Sequence, residues 1–369
     1  MARYLLKRLL LIVPTLFGVM LINFVIVQAA PGGPIEQIAA RLSGVAGEGG
    51  HSAISGPGHD GHVAPAHMAT SASASGSVYS GASGVPPDVL KDLEKQFGFD
   101  KPAHERFFLM MKNYLTFDFG ESYLKNRSVI GLILDKMPVS ISLGLWSTLL
   151  IYGLSIPLGI RKAVRDGSRF DVATSMAISV GYAVPSFLLA VFLVILFAGG
   201  EFFSIFPLRG LSSEGWNAMP LWQKITDYLW HVTLPVISLT VGGFAALTML
   251  TKNCFIEEIH KQYIVTARAK GASERRALYG HAFRNAMLIV IAGFPSAFIS
   301  MFFAGSLVVE TIFSLDGMGL LGFEATLNRD YPVMFGTLYI FSLIGLVMNV
   351  IGDVAYVLID PRINFDASR

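Results

Sequence analysis

Six apolar runs, at 9–29, 138–160, 172–198, 232–251, 286–309 and 333–357, constrain this chain more than any other feature. Each reaches the roughly 20 residues needed to cross the hydrocarbon core of a bilayer. In lipid the backbone must satisfy its own hydrogen bonds, so runs of this kind fold as helices. Charged residues make up only 15% of the chain, against roughly 25% in soluble domains. The expected fold is an all-α polytopic membrane protein with six transmembrane helices.

The first run, Leu9 to Ala29, follows Arg3, Lys7 and Arg8. A cleaved signal peptide is the rival reading, with Gln28-Ala29-Ala30 as its cleavage site. A signal core is roughly 7–15 residues long, so this run reads instead as an uncleaved first span. Charge then sets orientation. Arg161, Lys162, Arg165 and Arg169 crowd the loop between spans two and three, and seven Lys and Arg residues between Lys252 and Arg284 fill the loop between spans four and five. The intervening loops carry only Arg209 and Lys224, and Arg329. The positive-inside rule puts both termini and the 252–285 loop in the cytoplasm. Three regions follow: 1–30, the N-terminus and first span; 31–137, a large periplasmic region; and 138–369, a five-helix core containing the cytoplasmic 252–285 segment.

Within the periplasmic region, residues 43–84 are rich in Gly, Ser, Ala and His and almost free of bulky apolar side chains. Such a composition cannot offset chain entropy, and it reads as disordered. His51, His59, His62 and His67 could catch a transition metal, but their spacing imposes no ligand geometry, and a solvated biased loop is the competing reading. Order is expected again from Pro86. Val89, Leu90, Leu93 and Phe97 share one helix face, and Phe107, Phe108, Met111 and Leu115 share another.

The 252–285 segment is the longest polar interruption in the second half. Ile256, Ile259, Tyr263 and Ala267 recur at helical spacing. Gly271 follows Arg268 and Lys270 as a left-handed cap would, and Ser273 is placed to cap a second helix through Glu274, Arg275 and Arg276. Two short basic helices meeting at a bend could serve as a lever for another protein. They could equally be a loop whose charges only fix topology.

Catalytic signatures are missing. No G-x-x-x-x-G-K-[ST] phosphate loop occurs, His104-Glu105 lacks the second His of a zinc protease, and there is no G-x-S-x-G elbow. The single Cys254 forms no internal disulfide and reads as a small apolar residue at a span end. Asp353, one turn after Asn349, is the clearest ionisable residue on a span; it fits either a proton relay or a satisfied carboxylate at the cytoplasmic interface. Polar or helix-loosening residues inside span five (Pro295, Ser296, Ser300, Gly305, Ser306) fit a channel-lining face and close helix packing alike. Ser296, Ser300 and Met301, with Asn349 on span six, are the candidate path residues. Glu310 and Asp316 flank a Gly-rich segment read as a re-entrant hairpin at the periplasmic mouth. They could meet a cationic part of a substrate or of a delivering protein, or be ordinary solvated acids.

The string TARAKGASERRALYGHAFRNA, beginning at Thr266, resembles the coupling-helix motif of bacterial ABC importer permeases of the dipeptide/oligopeptide branch. Gly271 takes the place of the motif glycine, while Val265, Thr266 and Ala267 replace its Glu-Ala-Ala. Pro14-Thr15-Leu16, FGFDKP at 97–102, DFGES at 118–122 and RDYPVMFG at 329–336 also resemble this family, from which the 43–84 insert departs. GFAALTMLTKN at 243–253, QKITDYLWH at 223–231, FPLRG at 206–210 and DPRINF at 360–365 are most similar to the microcin C type peptide importers. The resemblance implies a type I importer that pairs with a second homologous permease. It also implies cytoplasmic ATPases, separate or fused, holding the ATP and Mg, and a periplasmic peptide-binding protein. It assigns ATPase coupling to Thr266, Ala267, Arg268, Ala269, Lys270, Gly271, Ala272, Ser273 and Glu274. No cofactor is expected on this chain, and nothing points to nucleic acid. A stand-alone secondary transporter and a non-transporting membrane scaffold are the competing classes.

Overall fold

A helix interrupted by Pro must break its hydrogen-bond ladder, and several elements of this fold are decided at such points. The computed structural model describes residues 2–29, 100–199, 202–295, 297–298 and 306–359. The first span is α1 (Ala2–Ala29); α2 (Ala103–Tyr114) precedes α3 (Val129–Val164), α4 (Arg169–Ala183) and α5 (Ser186–Phe197). Next come α6 (Leu221–Ile259), α7 (Gln262–Ala269), the single turn α8 (Glu274–Ala277), a π-helical segment (Leu278–Ala282) and α9 (Phe283–Ala292). The chain ends in α10 (Ser306–Ile312), α11 (Met318–Leu327) and α12 (Tyr331–Ile359). Among the described residues the one extended pairing is an isolated bridge between Glu121 and Ser128.

Four of these helices, α1, α3, α6 and α12, are long and apolar enough to cross a membrane, or five crossings if α4 and α5 count as one. That pair corrects the reading of 172–198 as a continuous span: its two limbs meet at 93°. Pro185 is the cause. It forces Val184 out of the helical region (φ −87°, ψ 117°) and restarts the chain as the N-cap of α5.

The chain divides into two units. In the first (residues 1–17, 130–324 and 335–369), α6 is the spine. Its first half packs Val232, Leu234, Val236 and Leu239 against Leu143 of α3, Leu193 of α5 and Val309 and Phe313 at α10. Its second half packs Leu247 and Phe255 against Ile151 and Ile160 of α3 and Met287 and Val290 of α9. Helices α3 and α6 approach closely at Gly159, where a Cβ would stand 2.6 Å from the Thr251 Cβ and 2.9 Å from the Thr248 carbonyl oxygen. Arg8 pairs with Asp353 at 3.1 Å, and the Tyr4 hydroxyl lies 3.4 Å from the same carboxylate. Asp353 is therefore a satisfied carboxylate joining α1 to α12.

In the second unit (residues 18–129 and 325–334), the Phe107 ring packs tilted against Phe24 with centroids 5.3 Å apart, and Arg106 donates to Gln28 at 3.0 Å. Asp330 accepts from the Ser122 hydroxyl (2.5 Å) and the Tyr123 amide (3.2 Å). The expected face of α2 is corrected here: Phe107 and Tyr114 point inward, whereas Phe108 and Leu115 are exposed. The inward pair lies seven residues apart, two helical turns. The amphipathic segment at 89–97, the His-rich tract and residues 360–365 lie outside the described residues.

Candidate functional site

The candidate site is the knuckle between α6 and α9. One helix was expected from Lys252 up to a stop at Gly271; two are found. The chain leaves the helix after Ile259, and Lys261 is extended (φ −71°, ψ 146°) before α7 begins. The buried Glu258 carboxylate draws the chain back across this break. It accepts from the Lys261 ammonium and from the Tyr263 hydroxyl, the latter at 2.5 Å, while Asn285 of α9 donates to the same hydroxyl at 3.0 Å. Tyr263 thus joins the end of α6, the start of α7 and the root of α9. Burial, then its hydrogen bond to Glu258, pushes its pKa up to about 12, so it stays a proton donor at physiological pH.

Helix α7 ends in a Schellman motif. The Gly271 amide donates to the Arg268 carbonyl (2.9 Å) and the Ala272 amide to the Ala267 carbonyl (3.1 Å). Gly271 has φ +89°, and nothing lies within 4 Å of where a Cβ would stand, so its requirement is conformational, not spatial. The Ser273 hydroxyl then caps α8 by accepting from the Arg276 amide at 3.3 Å. Ile264, Ala277 and Ala282 bury the inner corner of the bend. The π-helical turn inserts an extra residue where α8 runs into α9.

Outside the bend lies an open cleft of about 470 Å³, lined by Thr266, Ala267, Lys270, Gly271, Arg276 and His281 among others. Its charged lining is basic only. Arg268, Ala269 and Glu274 are exposed beside it, and Ala272 is half-buried. Thr266 hydrogen-bonds back to the Gln262 carbonyl at 2.9 Å.

The other candidates are placed differently. Ser296, Ser300 and Met301 lie outside the described residues; Asn349 is exposed on α12. Glu310 is not the solvated acid that its sequence context allows. It is wholly buried, accepting from the Ser140 hydroxyl (3.2 Å) and the Leu320 amide (2.8 Å), while Ser140 accepts from the Met318 amide (2.9 Å). Glu310 therefore anchors the start of α11. Asp316, largely exposed, pairs with Lys136. Residues missed by sequence reasoning include Glu258 and Asn285, and a cavity of about 260 Å³ between α3, α6 and α9 lined by Thr148, Tyr152, Gly243, Ala246 and Gly293. The paired Gly242-Gly243 inside span four was the available signal for that cavity.

Four helices long and apolar enough to cross a membrane, one of which (α6) runs through the braced polar elbow into the shorter α9, define an integral membrane component. The chain belongs to the family described as binding-protein-dependent transport system inner membrane component, whose model matches residues 155–365, over half of its length. It is 58% identical over 367 residues to the inner membrane ABC transporter permease protein YejB of Escherichia coli O157:H7, covering 99% of this chain and 100% of that one. It is also 58% identical over 368 residues to the peptidoglycan transport system permease protein YejB of Agrobacterium fabrum, covering 99% of each. The oligopeptide transport system permease protein OppB of Haemophilus influenzae is 30% identical over 366 residues, 99% of this chain and 100% of that one. Among solved structures, the inward-facing MetNI methionine ABC transporter is similar with a TM-score of 0.47 and 16% identity, over 62% of this chain and 97% of that chain. The chain is accordingly an ABC permease subunit of the peptide-importer type, not a catalytic enzyme.

Proposed function

We propose that this chain is one of two homologous permeases in an ATP-driven importer that carries oligopeptides, including microcin C-like peptides, from periplasm to cytoplasm. In this reading it crosses the inner membrane six times, with both termini and the knuckle in the cytoplasm and residues 31–137 in the periplasm. ATP-binding subunits hold ATP and Mg and grip the knuckle through Thr266 to Glu274. A periplasmic binding protein delivers the peptide to the opposite face. Closure of the ATPases tilts the knuckle, and α6 and α9 carry that tilt into the core, opening the path outward; hydrolysis resets it.

The observation that carries this reading is the Schellman bend at Gly271, braced by Glu258, Tyr263 and Asn285 between the membrane-length α6 and α9. A loop that only fixed topology would need neither the left-handed glycine nor the brace. The test is peptide uptake in cells lacking other peptide importers. Gly271→Val should abolish uptake at normal membrane levels, while Gly271→Asn, which tolerates the left-handed region, retains part of it. Uptake that survives deletion of the ATPase genes but collapses with an uncoupler would mark a secondary transporter instead. Peptide uptake intact after loss of this chain would mark a scaffold.

A further inference from the structure

Lys162, at the end of α3, is completely buried, and all of its described partners belong to α4. Its ammonium lies 2.9 Å from both the Asp171 Oδ1 and the Asp171 carbonyl, 2.8 Å from the Thr174 hydroxyl and 2.7 Å from the Ser175 hydroxyl. The other carboxylate oxygen of Asp171 faces α6: Lys252 lies 2.6 Å from Oδ2, and also 2.8 Å from Asp166 in the α3–α4 turn. The turn is closed by the Gly167 amide donating to Asp171 at 3.2 Å and by the Ser168 cap. Two ammonium and two carboxylate groups balance, and one carboxylate joins three helices. Buried ionic groups of this kind contribute little net stability compared with apolar packing, so their presence calls for another reason.

Location supplies one. Lys252 lies six residues before Glu258, roughly 9 Å along the helix. Helix α6 is thus fastened to the α3–α4 turn at one point and to the knuckle at the next.

Building on the importer reading above, we infer that Asp171 is a positioning residue: it makes the α3–α4 hairpin move with α6 when the knuckle is driven. Lys162 holds the hairpin to Asp171; Lys252 carries the load. Without the Lys252 link, the knuckle would still move α6 but the hairpin would lag, and ATP would be spent without a full opening of the path.

The experiment uses the assembled transporter in proteoliposomes, reading peptide moved per ATP hydrolysed. Lys252→Gln leaves the buried Lys162–Asp171 pair intact, so the complex should assemble in normal yield while that ratio falls at least fivefold. Lys252→Arg, which reaches both carboxylates, should restore it to within twofold. In a Cys254→Ser background, Asp166→Cys with Lys252→Cys should show the low ratio, and a short bis-maleimide bridge between the two thiols should raise it again. A wild-type ratio in Lys252→Gln, or a bridge that fails to restore coupling, overturns the inference. Gly271→Val run in parallel separates the two levels: if it uncouples and Lys252→Gln does not, only the clasp fails; if it does not uncouple, the importer reading fails first.

Discussion

The Tyr263 hydroxyl sits 2.5 Å from the carboxylate of Glu258 and 3.0 Å from the Asn285 amide nitrogen, so one side chain pins three helical segments. Helix α7 alone is eight residues long, too short to persist in isolation. Its orientation relative to α6 and α9 depends on this brace, and so would the lever action proposed for it.

Tyr263→Phe removes the brace with little change of shape. It should cost about 1.5–3 kcal/mol locally, the range for a hydrogen bond to a charged group. Hydrogen exchange across 262–270 should quicken while the spans remain protected.

The same tyrosine predicts a pH response. Its folded pKa, about 12, exceeds the ordinary value of 10.0, so its contribution is complete below pH 10 and lost as pH rises towards 12. Knuckle protection, corrected for intrinsic exchange, should be flat from neutral pH to about 10 and fall above it. The fall should be absent in Tyr263→Phe.

Substitution of Gly271 should separate backbone strain from crowding. With open space around the missing Cβ, Gly271→Ala should cost about 1–2 kcal/mol from the left-handed conformation alone, and Gly271→Asn less. Thermal unfolding of the purified complex, read beside peptide uptake, should rank both in the order Gly, Asn, Ala, Val.

At Gly159 the opposite holds, since a methyl group would strike Thr251 and a carbonyl. Gly159→Ala should destabilise the detergent-solubilised protein by about 1–3 kcal/mol through overpacking. Adding Thr251→Ser removes only the Cγ2 contact and should recover only part of that loss, because the Cβ of residue 251 and the Thr248 carbonyl remain.

Gly317→Ala should displace the buried carboxylate of Glu310, which the new methyl group would strike. The Leu320 amide would then lose its acceptor, at about 1–3 kcal/mol. Faster exchange at the Met318 and Leu320 amides, with α12 unchanged, is the expected signature.

Legibility in the sequence followed range. The apolar runs of α1, α3, α6 and α12 and the cap at Ser273 are local patterns, and each was readable from neighbouring residues. So was Gly271, whose position after Arg268 and Lys270 announced the turn. Pro185 was visible but absorbed into a long apolar run, so the 93° corner between α4 and α5 was not anticipated. The break after Ile259 was hidden because its cause, Glu258 folding back onto Tyr263, is a tertiary choice that helical spacing cannot express. Glu310 meets Ser140 from 170 positions away, and Lys252 meets Asp171 from 81. No periodicity reports such encounters, which is why Glu310 fitted a solvated acid and Asp171 drew no reading at all until the helices were packed.

The bend at residue 271 is closed by main-chain groups and by one residue without a side chain. Form and surface chemistry are therefore written in separate places. The side chains of Lys270, Arg276 and His281, which line the cleft, take no part in that closure, so the charge this elbow presents can change by substitution with no redesign of the helices behind it.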